Sequence, residues 1–353
     1  MASQTIRVLV LFGGRSSEHE VSVLSASSII SALDSARYEA IPVAIERSGR
    51  WLDPAASASL LPQETANKCS LTQVEVSHQP GCSRGFDVVF PVLHGPYGED
   101  GRIQGLLDMA GLPYVGSGVL GSACGMDKDV MKRLLNESEI PTLPHEIVWR
   151  GDAGESVSRI ERNTGYPAFV KPANLGSSVG IRRVENREAL IDALDYAHEF
   201  DTKVIVEPGI EAREIECAVI GNRSPEASLP GEIVTRGGFY DYETKYVTDS
   251  AELIAPAKLG IEQVEAVRDL AVKAFRALDC SGLARVDFFI ADDPRRPSIL
   301  LNEVNTMPGF TSISMFPRMW AVSGFPYERL IERLLGLALE RHAEASSLRF
   351  DIA

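Results

Sequence analysis

The stretch LLNEVNTMPG at residues 300–309 decides the fold of this chain when it is combined with the run RVD that begins at Arg285. Arg285 and Asp287 stand two residues apart, and so do Glu303 and Asn305. Because side chains alternate between the two faces of a β-strand, each pair points to one face. A turn rich in Asp and Pro separates the two stretches. We therefore predict two neighbouring strands that bring these four side chains together.

The gathered side chains of Asp287, Glu303 and Asn305 suit a divalent metal ion. They offer three hard oxygen donors, and Mg²⁺ favours a few carboxylates together with waters and nucleotide phosphates. The alternative is the solvated outer face of a hairpin. The flanking runs 288–290 and 299–301 are apolar, and carboxylates embedded in apolar strands need a partner. This favours the metal site.

A second pair of strands and a loop of small residues supply features of a nucleotide site. Residues 166–172 and 181–184 are typical of short strands, and residues 173–180 between them are rich in Gly and Ser. Such a hairpin can fold over phosphates, with Lys171 reaching them as a point charge. Residues 203–210 predict an apolar strand that ends at an acid and a Pro-Gly break, where an adenine can lie.

In this order, these features resemble the ATP-grasp ligases and, within them, the D-alanine–D-alanine ligase family. The resemblance runs from Val8 to about Arg333, nearly the whole chain. It is carried by motifs at residues 13–22, 94–101, 126–128, 171–180, 239–246 and 302–314. It implies an α/β (α+β ATP-grasp) fold class, with an N-terminal doubly wound parallel-sheet domain followed by a two-lobed ATP-grasp fold. The implied domains span residues 1–120, 121–212 and 213–353.

The resemblance also implies an activity. This is the ATP-dependent ligation of two D-alanine molecules to D-alanyl-D-alanine through a D-alanyl phosphate, which supplies peptidoglycan precursors for the cell wall. ATP is then the co-substrate, two Mg²⁺ or Mn²⁺ ions are expected as cofactors, and relatives are commonly homodimers. The alternatives are a D-alanine–D-lactate ligase, another ATP-grasp carboxylate–amine ligase, or a nucleotide-binding module without turnover. The intact set of Asp287, Glu303, Asn305 and Arg285 argues against such a module.

The family motifs imply roles for individual residues. The residues that match metal ligands are Asp287, Glu303 and Asn305, with Glu303 bridging two ions. The residues that match ATP contacts are Lys128, Lys171, Ser178, Glu207, Pro208, Ile210, Glu214, Lys245 and Asn302. The residues that match catalytic positions are Glu18, Ser177, Tyr246, Arg285 and Gly309. The residues that match substrate contacts are Glu18, His94, Ser314 and Met315.

Some of these assignments have a structural alternative. Lys128 could be a surface lysine in a first helical turn, and Lys171 could be a lysine at a rim. Glu18 could complement a helix dipole, and His94 could be a buried structural histidine. Many relatives carry lysine where this chain has Pro208, so a side-chain contact is lost there while the backbone carbonyl remains.

The resemblance further implies how the substrates are held. Arg285 and the backbone N–H of Gly309 match an oxyanion hole, in which Arg285 is a fixed bidentate donor. Ser314 and Met315 are expected to open a helix whose N-terminal amides take the carboxylate of the second substrate. The loop that contains Lys245 and Tyr246 is expected to close over the phosphates and exclude water.

The acceptor is predicted from Tyr246, which in the family joins Ser177 and Glu18 in one hydrogen-bonded set. Relatives that accept D-lactate carry phenylalanine at this position. The tyrosine therefore predicts an amine acceptor, hence D-alanyl-D-alanine as the product.

Composition and charge narrow the class of protein. The chain has 353 residues, enough for two or three domains, and its 44% hydrophobic and 24% charged residues are those of a soluble globular protein. A net charge of −14 argues against a nucleic-acid partner, and no apolar run is long enough to span a membrane. The start of the chain shows no secretory leader and the five cysteines are scattered, so we expect a cytoplasmic protein.

An acidic chain that binds ATP also needs a locally positive site, which Lys128, Lys171, Lys245 and Arg285 would provide.

Local patterns predict the elements around these motifs. A helix is expected at residues 17–33, with its start fixed by a capping-box spacing between Ser17 and Glu20. It lies between two apolar strands, as in a doubly wound parallel sheet. Residues 51–83 are expected to form a variable excursion with short strand-like pieces. The remaining helices are expected at 103–110, 128–136, 188–198, 261–278 and 327–341, and the strands outside the nucleotide and metal motifs at 6–12, 38–45, 86–94, 214–221 and 231–235.

Two motifs point to other enzyme classes and fail on context. Residues 116–121 match the dinucleotide fingerprint, but they end a domain and no acid follows at the end of a second strand. Residues 176–180 match the nucleophile elbow, but a strand-like run follows, and His198 and His342 are poorly placed to complete a triad. The chain has no Gly-Lys-Ser/Thr sequence, which excludes a P-loop NTPase.

Overall fold

The strands of the described residues form three sheets, and each sheet is built from a separate stretch of the chain. The structure is a computed structural model that describes residues 5–76, 83–235 and 251–349. The first sheet uses strands before residue 92, the second uses strands between 146 and 208, and the third uses strands between 213 and 305. This division follows the order of the motifs along the chain.

The first sheet is parallel and has the strand order β2-β1-β3. Its elements are β1 (Ile6–Gly13), α1 (His19–Ala32), β2 (Tyr38–Ile45) and β3 (Val88–Pro91). Residues 8–12 of β1 are all buried, as expected for a parallel strand that is covered on both faces. The predicted strand–helix–strand opening is confirmed. The third strand is shorter than the predicted 86–94.

The start of α1 differs from the prediction, because the capping box between Ser17 and Glu20 does not form. The N-cap position is Glu18, with no side-chain cap, and the helix begins at His19. Glu20 forms an ion pair with Arg47 at 2.5 Å instead of turning back on the helix. The predicted helix at residues 17–33 is correct in position, and its predicted cap is wrong.

The excursion at residues 51–83 contains short helices where strand-like pieces were expected. They are α2 (Pro54–Ala58) and α3 (Gln63–Ala66). The side chain of Asp53 caps α2 by accepting from the amide of Ala56 at 2.9 Å, which is a strong helix-start signal. Where this part is described, at residues 51–76 and 83, its extended pairing is limited to isolated bridges.

The connection to the second sheet consists of three helices. They are α4 (Arg102–Met109), α5 (Val119–Met126) and α6 (Lys128–Glu137). Asp127 lies between α5 and α6. Its side chain caps α6 by accepting from the amide of Val130 at 3.0 Å. This cap places Lys128 at the first position of α6, as predicted.

The second sheet is antiparallel, with the order β4-β7-β5-β6. Its strands are β4 (Glu146–Trp149), β5 (Ala168–Pro172), β6 (Arg182–Val184) and β7 (Lys203–Pro208). Its helices are α7 (Ala153–Asn163) and α8 (Arg187–Ala197). Val170, Leu190 and Val206 belong to the apolar core between strands and helices. The predicted hairpin β5–β6 is confirmed, and residues 173–181 form its loop.

The third sheet has the order β11-β10-β8-β12-β13, with β9 paired to β8. Its strands are β8 (Arg213–Gly221), β9 (Glu226–Ala227), β10 (Gly231–Thr235), β11 (Ala251–Ile254), β12 (Gly282–Ile290) and β13 (Ile299–Asn305). β12 and β13 pair antiparallel with Asp287 opposite Glu303 and Arg285 opposite Asn305. The predicted pairing of these two strands is therefore confirmed.

Three further helices complete the described part of the chain. They are α9 (Ile261–Ala277), α10 (Met315–Val322) and α11 (Tyr327–Ser346). α11 is longer than the predicted 327–341, and Leu334 on it shares one apolar core with Val8, Phe90 and Ala218. The first and third sheets are thus joined through a common core. In the described ranges, no helix combines the length and the apolar character that crossing a bilayer requires.

Candidate active site

A cleft of about 740 Å³ lies between the second and third sheets. Its walls are the β5–β6 hairpin with its loop, the end of β7, and the β8, β12 and β13 strands. Twelve of the predicted site residues line it. They are Lys128, Lys171, Ser177, Ser178, Glu207, Pro208, Ile210, Glu214, Arg285, Asp287, Asn302 and Glu303.

One end of the cleft holds the side chains predicted to bind metal. Asn305 donates its side-chain amide to Asp287 Oδ2 at 2.9 Å, and Glu303 lies opposite Asp287 in the pairing. Arg285 holds both oxygens of Asp287 through its Nε and Nη2, each at 2.7 Å. Arg285 Nε also lies 3.2 Å from Glu216 Oε1 on the neighbouring strand. The sequence-based prediction missed Glu216.

The donor set fits a divalent cation that keeps other ligands. In the described ranges no group of three or more His, Cys, Asp or Glu side chains is arranged to hold a metal ion. Asp287 and Glu303 instead offer carboxylate oxygens beside the amide of Asn305. Hard oxygens in small number suit an ion that completes its shell with water and phosphate oxygens. Cationic side chains neutralise both carboxylates here, since Arg285 holds Asp287 and Lys128 Nζ lies 3.7 Å from Glu303.

Lys128 is a buried residue of the cleft wall, so the alternative of a surface lysine is wrong. Lys128 is only 7% exposed. Its backbone amide donates to Ala173 O at 3.0 Å, and its Nζ donates to Leu175 O at 2.6 Å. Both acceptors belong to the loop of the β5–β6 hairpin. The start of α6 therefore fixes that loop and places an ammonium group beside it.

Lys171 lies in an ion-pair cluster with Glu207 and Lys132. Lys171 Nζ and Lys132 Nζ each lie 2.6 Å from a different oxygen of Glu207. Burial alone would raise the pKa of the Glu207 carboxyl, but the two ammonium groups outweigh it and lower that pKa to about 2. The side chain of Glu207 is thus turned towards lysines, and the sequence-based prediction missed Lys132.

The loop of the hairpin is linked to the first sheet through Ser177 and Glu18. Ser177 Oγ donates to Glu18 Oε1 across 159 residues of sequence. Ser177 and Ser178 have φ values of +52° and +58°, a region that non-glycine residues rarely adopt. Two members of the predicted hydrogen-bonded set are therefore in contact. The third, Tyr246, lies outside the described residues, as does Lys245.

His94 and Glu99 hold the loop that follows β13. His94 Nδ1 lies 2.9 Å from Met307 O, and the amide of Met307 donates to Glu99 Oε2 at 3.2 Å. Glu99 Oε1 also accepts from the amide of Gly95 at 3.0 Å. Burial, and next the charge of Glu18, raise the pKa of Glu99 to about 8. His94 makes the contacts expected of a buried structural histidine, and Glu99 was missed.

The start of α10 lies on the same loop as Gly309. Ser314 is the N-cap residue without a side-chain cap, and its hydroxyl lies 2.7 Å from Thr311 Oγ1. The predicted helix start at Ser314 and Met315 is confirmed. The Met315 side chain is buried in the apolar core, so a contact from Met315 to a substrate would come from its backbone.

The predicted residues thus form two neighbouring groups. Twelve line the cleft, and Asn305 touches Asp287 at its end. Glu18 joins the cleft through Ser177. Glu18 and Glu99 both face Gly176, since a Cβ built on that glycine would be 3.5 Å from Glu18 Oε2 and 3.8 Å from Glu99 Oε1. His94, Gly309, Ser314 and Met315 belong to the adjoining loops and helix start.

The three missed residues carried weak local signals. Glu216 stands two residues after Glu214 on an apolar strand, and Lys132 stands one helical turn after Lys128. Glu99 lies in the motif at residues 94–101 that carries the family resemblance, but it was given no role there. A buried polar residue and an exposed one look alike in a sequence, so these signals did not separate them.

Two family models match most of this chain. The family model described as D-ala D-ala ligase N-terminus matches residues 7–117, and the one described as D-ala D-ala ligase C-terminus matches residues 134–336. A D-alanine–D-alanine ligase of Solibacter usitatus is 47% identical over 345 residues, covering 98% of this chain and 99% of that protein. One of Geobacillus thermodenitrificans is 46% identical over 360 residues, covering 98% of each.

Solved structures are similar over the same length. The D-alanine–D-alanine ligase from Coxiella burnetii superposes with a TM-score of 0.83 at 36% identity, covering 97% of this chain and 96% of that chain. The VanG D-Ala:D-Ser ligase from Enterococcus faecalis superposes with a TM-score of 0.84 at 37% identity, covering 95% of this chain and 100% of that one.

Proposed function

The chain belongs to the D-alanine–D-alanine ligase family and joins two D-alanine molecules at the expense of ATP, and we propose that it does so in the cleft between the second and third sheets. The observation that carries this proposal is the meeting of Asp287, Glu303 and Arg285 with Lys128 and Lys171 in that one cleft. Such a cleft has the carboxylates for a metal ion and the cations for phosphates.

The reaction has two steps, and each moves a defined group. The carboxylate of the first D-alanine attacks the γ-phosphorus of ATP, the bond to ADP breaks, and a D-alanyl phosphate forms. The amine of the second D-alanine then attacks the acyl carbon, loses a proton, and phosphate leaves. Both steps need cations near the transferring phosphoryl group and an oxyanion hole at the carbonyl.

Asp287, Glu303 and Asn305 would hold divalent metal, which we propose to be two Mg²⁺ or Mn²⁺ ions. When bound, such ions supply positive charge to the phosphate oxygens and orient them for transfer. Arg285 hydrogen-bonds both oxygens of Asp287, and because a carboxylate has about four lone pairs in all, Asp287 can keep this contact and still bind a cation. Glu216, at 3.2 Å, would keep Arg285 in place.

The nucleotide would lie along the end of β7 and under the hairpin loop. Lys128, Lys171 and Ser178 would bind its phosphates, and their position on the cleft wall supports this. The residues that we assign to the adenine and ribose ends are the Glu207–Ile210 segment with Pro208, together with Glu214 and Asn302, and all of them line the cleft. The Glu207 carboxylate pairs with lysines, so the adenine would meet the backbone there.

The substrates would be held by the adjoining loops. Glu18 would bind the ammonium group of the first D-alanine, and Arg285 with the amide of Gly309 would form the oxyanion hole. His94 would support this loop through Met307. The amides at Ser314 and Met315 would take the carboxylate of the second D-alanine, as a helix N-terminus can.

We assign the choice of acceptor to Tyr246, together with Ser177 and Glu18. Two of the three are already in hydrogen-bond contact. With D-alanine and D-lactate in competition at neutral pH, the unmodified protein should form the dipeptide. Tyr246→Phe should raise the share of depsipeptide, because a buried partner is left without its hydroxyl group. An unchanged product ratio would refute this role.

The proposed function is tested by measuring ADP and phosphate release with ATP, Mg²⁺ and D-alanine. We expect release that depends on D-alanine and is absent with L-alanine, together with D-alanyl-D-alanine in the product. Release at the same rate with either isomer, or without dipeptide, would contradict the proposed use of the cleft.

We also propose domain bounds at residues 1–120, 121–212 and 213–353, a cytoplasmic location, no nucleic-acid partner and a homodimer. The three sheets support the bounds, since each falls within one of these ranges.

Exposed apolar side chains on the adjacent helices α4 and α5 support self-association, with Met109 71% and Leu120 59% exposed. Leu120→Asp should therefore convert a dimer into monomer in light scattering, without loss of helical signal. An unchanged mass would exclude this face.

A further inference from the structure

The buried lysine behind the cleft, Lys132, has no role in the chemistry described above. It lies on α6 one turn after Lys128, and its side chain is 1% exposed. Lys132 is not among the residues that line the cleft, whereas Lys171 and Glu207 are. A fully buried lysine is rare unless it is paired. Its partner is Glu207, which is itself wholly buried.

The three side chains form a line from the protein interior to the cleft. Lys132 Nζ lies 2.6 Å from Glu207 Oε1, and Lys171 Nζ lies 2.6 Å from Glu207 Oε2. One carboxylate therefore serves two ammonium groups, and the cluster carries one net positive charge. A single lysine would be enough to neutralise Glu207, so the second is in excess for that purpose.

The excess charge has a use if Lys171 changes partner. A lysine that binds a phosphate has to give up Glu207 at least in part. Without Lys132, that exchange would leave an unpaired carboxylate in the interior, which is strongly unfavourable. With Lys132 in place, Glu207 keeps one ammonium group whichever partner Lys171 takes.

We propose that Lys132 is a positioning residue for nucleotide binding. Its ammonium group balances the negative charge of Glu207, so that Lys171 can leave Glu207 for a nucleotide phosphate. The inference rests on the proposed function, in which Lys171 binds phosphate. Lys132 acts only through Glu207 and touches no substrate. Its effect should be specific to ligands that carry phosphates.

The test compares the dissociation constants of ATP with Mg²⁺ and of adenosine, measured by calorimetry. Lys132→Met should weaken ATP binding by about tenfold or more and leave adenosine binding within about twofold. Lys132→Gln should behave in the same way, because charge and not shape is the cause. In the Glu207→Gln background, Lys132→Met should cause no further loss, because no carboxylate remains to be balanced.

A matched control is Lys203, which lies on the same strand as Glu207 and contacts the same helix as Lys132. Lys203 Nζ pairs with Asp127 at 2.6 Å and with Asp129 at 3.1 Å, but neither acid is shared with Lys171. Lys203→Met removes a buried link between β7 and α6. It should lower the thermal unfolding temperature and leave the ratio of ATP to adenosine affinity unchanged.

The outcomes separate the possibilities. If Lys132→Met weakens ATP and adenosine equally, or if the loss persists in the Glu207→Gln background, Lys132 has only a structural role and the proposal is wrong. If Lys171→Ala weakens ATP but Lys132→Met does not, the proposal fails while the proposed function stands. If Lys171→Ala leaves ATP binding unchanged, the phosphate role of Lys171 is itself wrong.

Discussion

Replacing Arg285 with lysine tests the chemical centre of the cleft. Arg285 makes two hydrogen bonds of 2.7 Å to Asp287 and lies 3.2 Å from Glu216. Lysine keeps the charge but has no planar fork, so it cannot hold both oxygens of a carboxylate or phosphate. Hydrogen bonds to charged groups contribute about 1.5–3 kcal/mol each. Arg285→Lys should therefore lower the free energy of unfolding by about 1–3 kcal/mol.

The effect on rate should be larger than the effect on folding. If Arg285 stabilises the oxyanion, removing that donor costs about 3–4 kcal/mol in the transition state. That corresponds to about a 100- to 1000-fold lower kcat. The assay is ADP release at saturating ATP, D-alanine and Mg²⁺, with thermal unfolding followed in parallel. A kcat within about threefold of the unmodified protein would refute the role given to Arg285.

The chain offers a matched control on the hairpin turn between β12 and β13. Arg295 holds both oxygens of Asp293 at 2.9 and 3.0 Å, the same two-point geometry as Arg285 with Asp287. The Arg295 side chain is 85% exposed, against 17% for Arg285. Exposed ion pairs contribute little, so Arg295→Lys should leave both kcat and stability unchanged.

Three further predictions address other parts of the site. Glu303→Ala should lower kcat by about 100-fold or more while the protein stays folded, because charge stabilisation by metal is worth several kcal/mol; near-normal turnover at saturating Mg²⁺ would contradict the metal assignment. Lys171→Ala should weaken ATP binding and slow phosphoryl transfer, measured by calorimetry and single-turnover assays, and unchanged values would make it a structural lysine. The raised pKa of Glu99, about 8, means that the folded protein keeps a proton that the unfolded chain releases near its ordinary pKa. The free energy of unfolding should therefore fall as pH rises from about 5 to about 8, and urea titrations at these two pH values should show no such fall in Glu99→Gln. If the free energy falls by the same amount in Glu99→Gln as in the unmodified protein, Glu99 is excluded as the source.

Local patterns in the sequence were sufficient for most of the fold. The two-residue spacing of Arg285 and Asp287, repeated in Glu303 and Asn305, predicted the paired strands β12 and β13 with these side chains on one face, because strand alternation depends only on neighbours in sequence. The start of α6 at Lys128 was also predicted correctly, and the structure shows that the Asp127 side chain caps it. The hairpin that carries Lys171 was also predicted correctly.

Where distant residues compete, the local pattern failed. Ser17 and Glu20 have the spacing of a capping box, yet Glu20 pairs with Arg47, 27 residues away. Glu18 in turn contacts Ser177, 159 residues away. A local cap is worth about 1 kcal/mol, and tertiary contacts of similar size can replace it. The prediction for the excursion after β2 was wrong as well, because the chain forms two short helices where strand-like pieces were expected.

The sequence by itself determined which side chains share one face of β12 and of β13, since this depends only on strand spacing. Through the family resemblance it also predicted which residues meet a metal ion, a phosphate or a carboxylate. Only the tertiary structure decided how those residues are held. Lys132 and Glu216 each reach a site residue from another element, at 2.6 Å to Glu207 and 3.2 Å to Arg285, and Glu99 accepts from the Met307 amide at 3.2 Å in the loop after β13. Burial makes each contact strong, and burial is a property of the folded chain that no single stretch of sequence records.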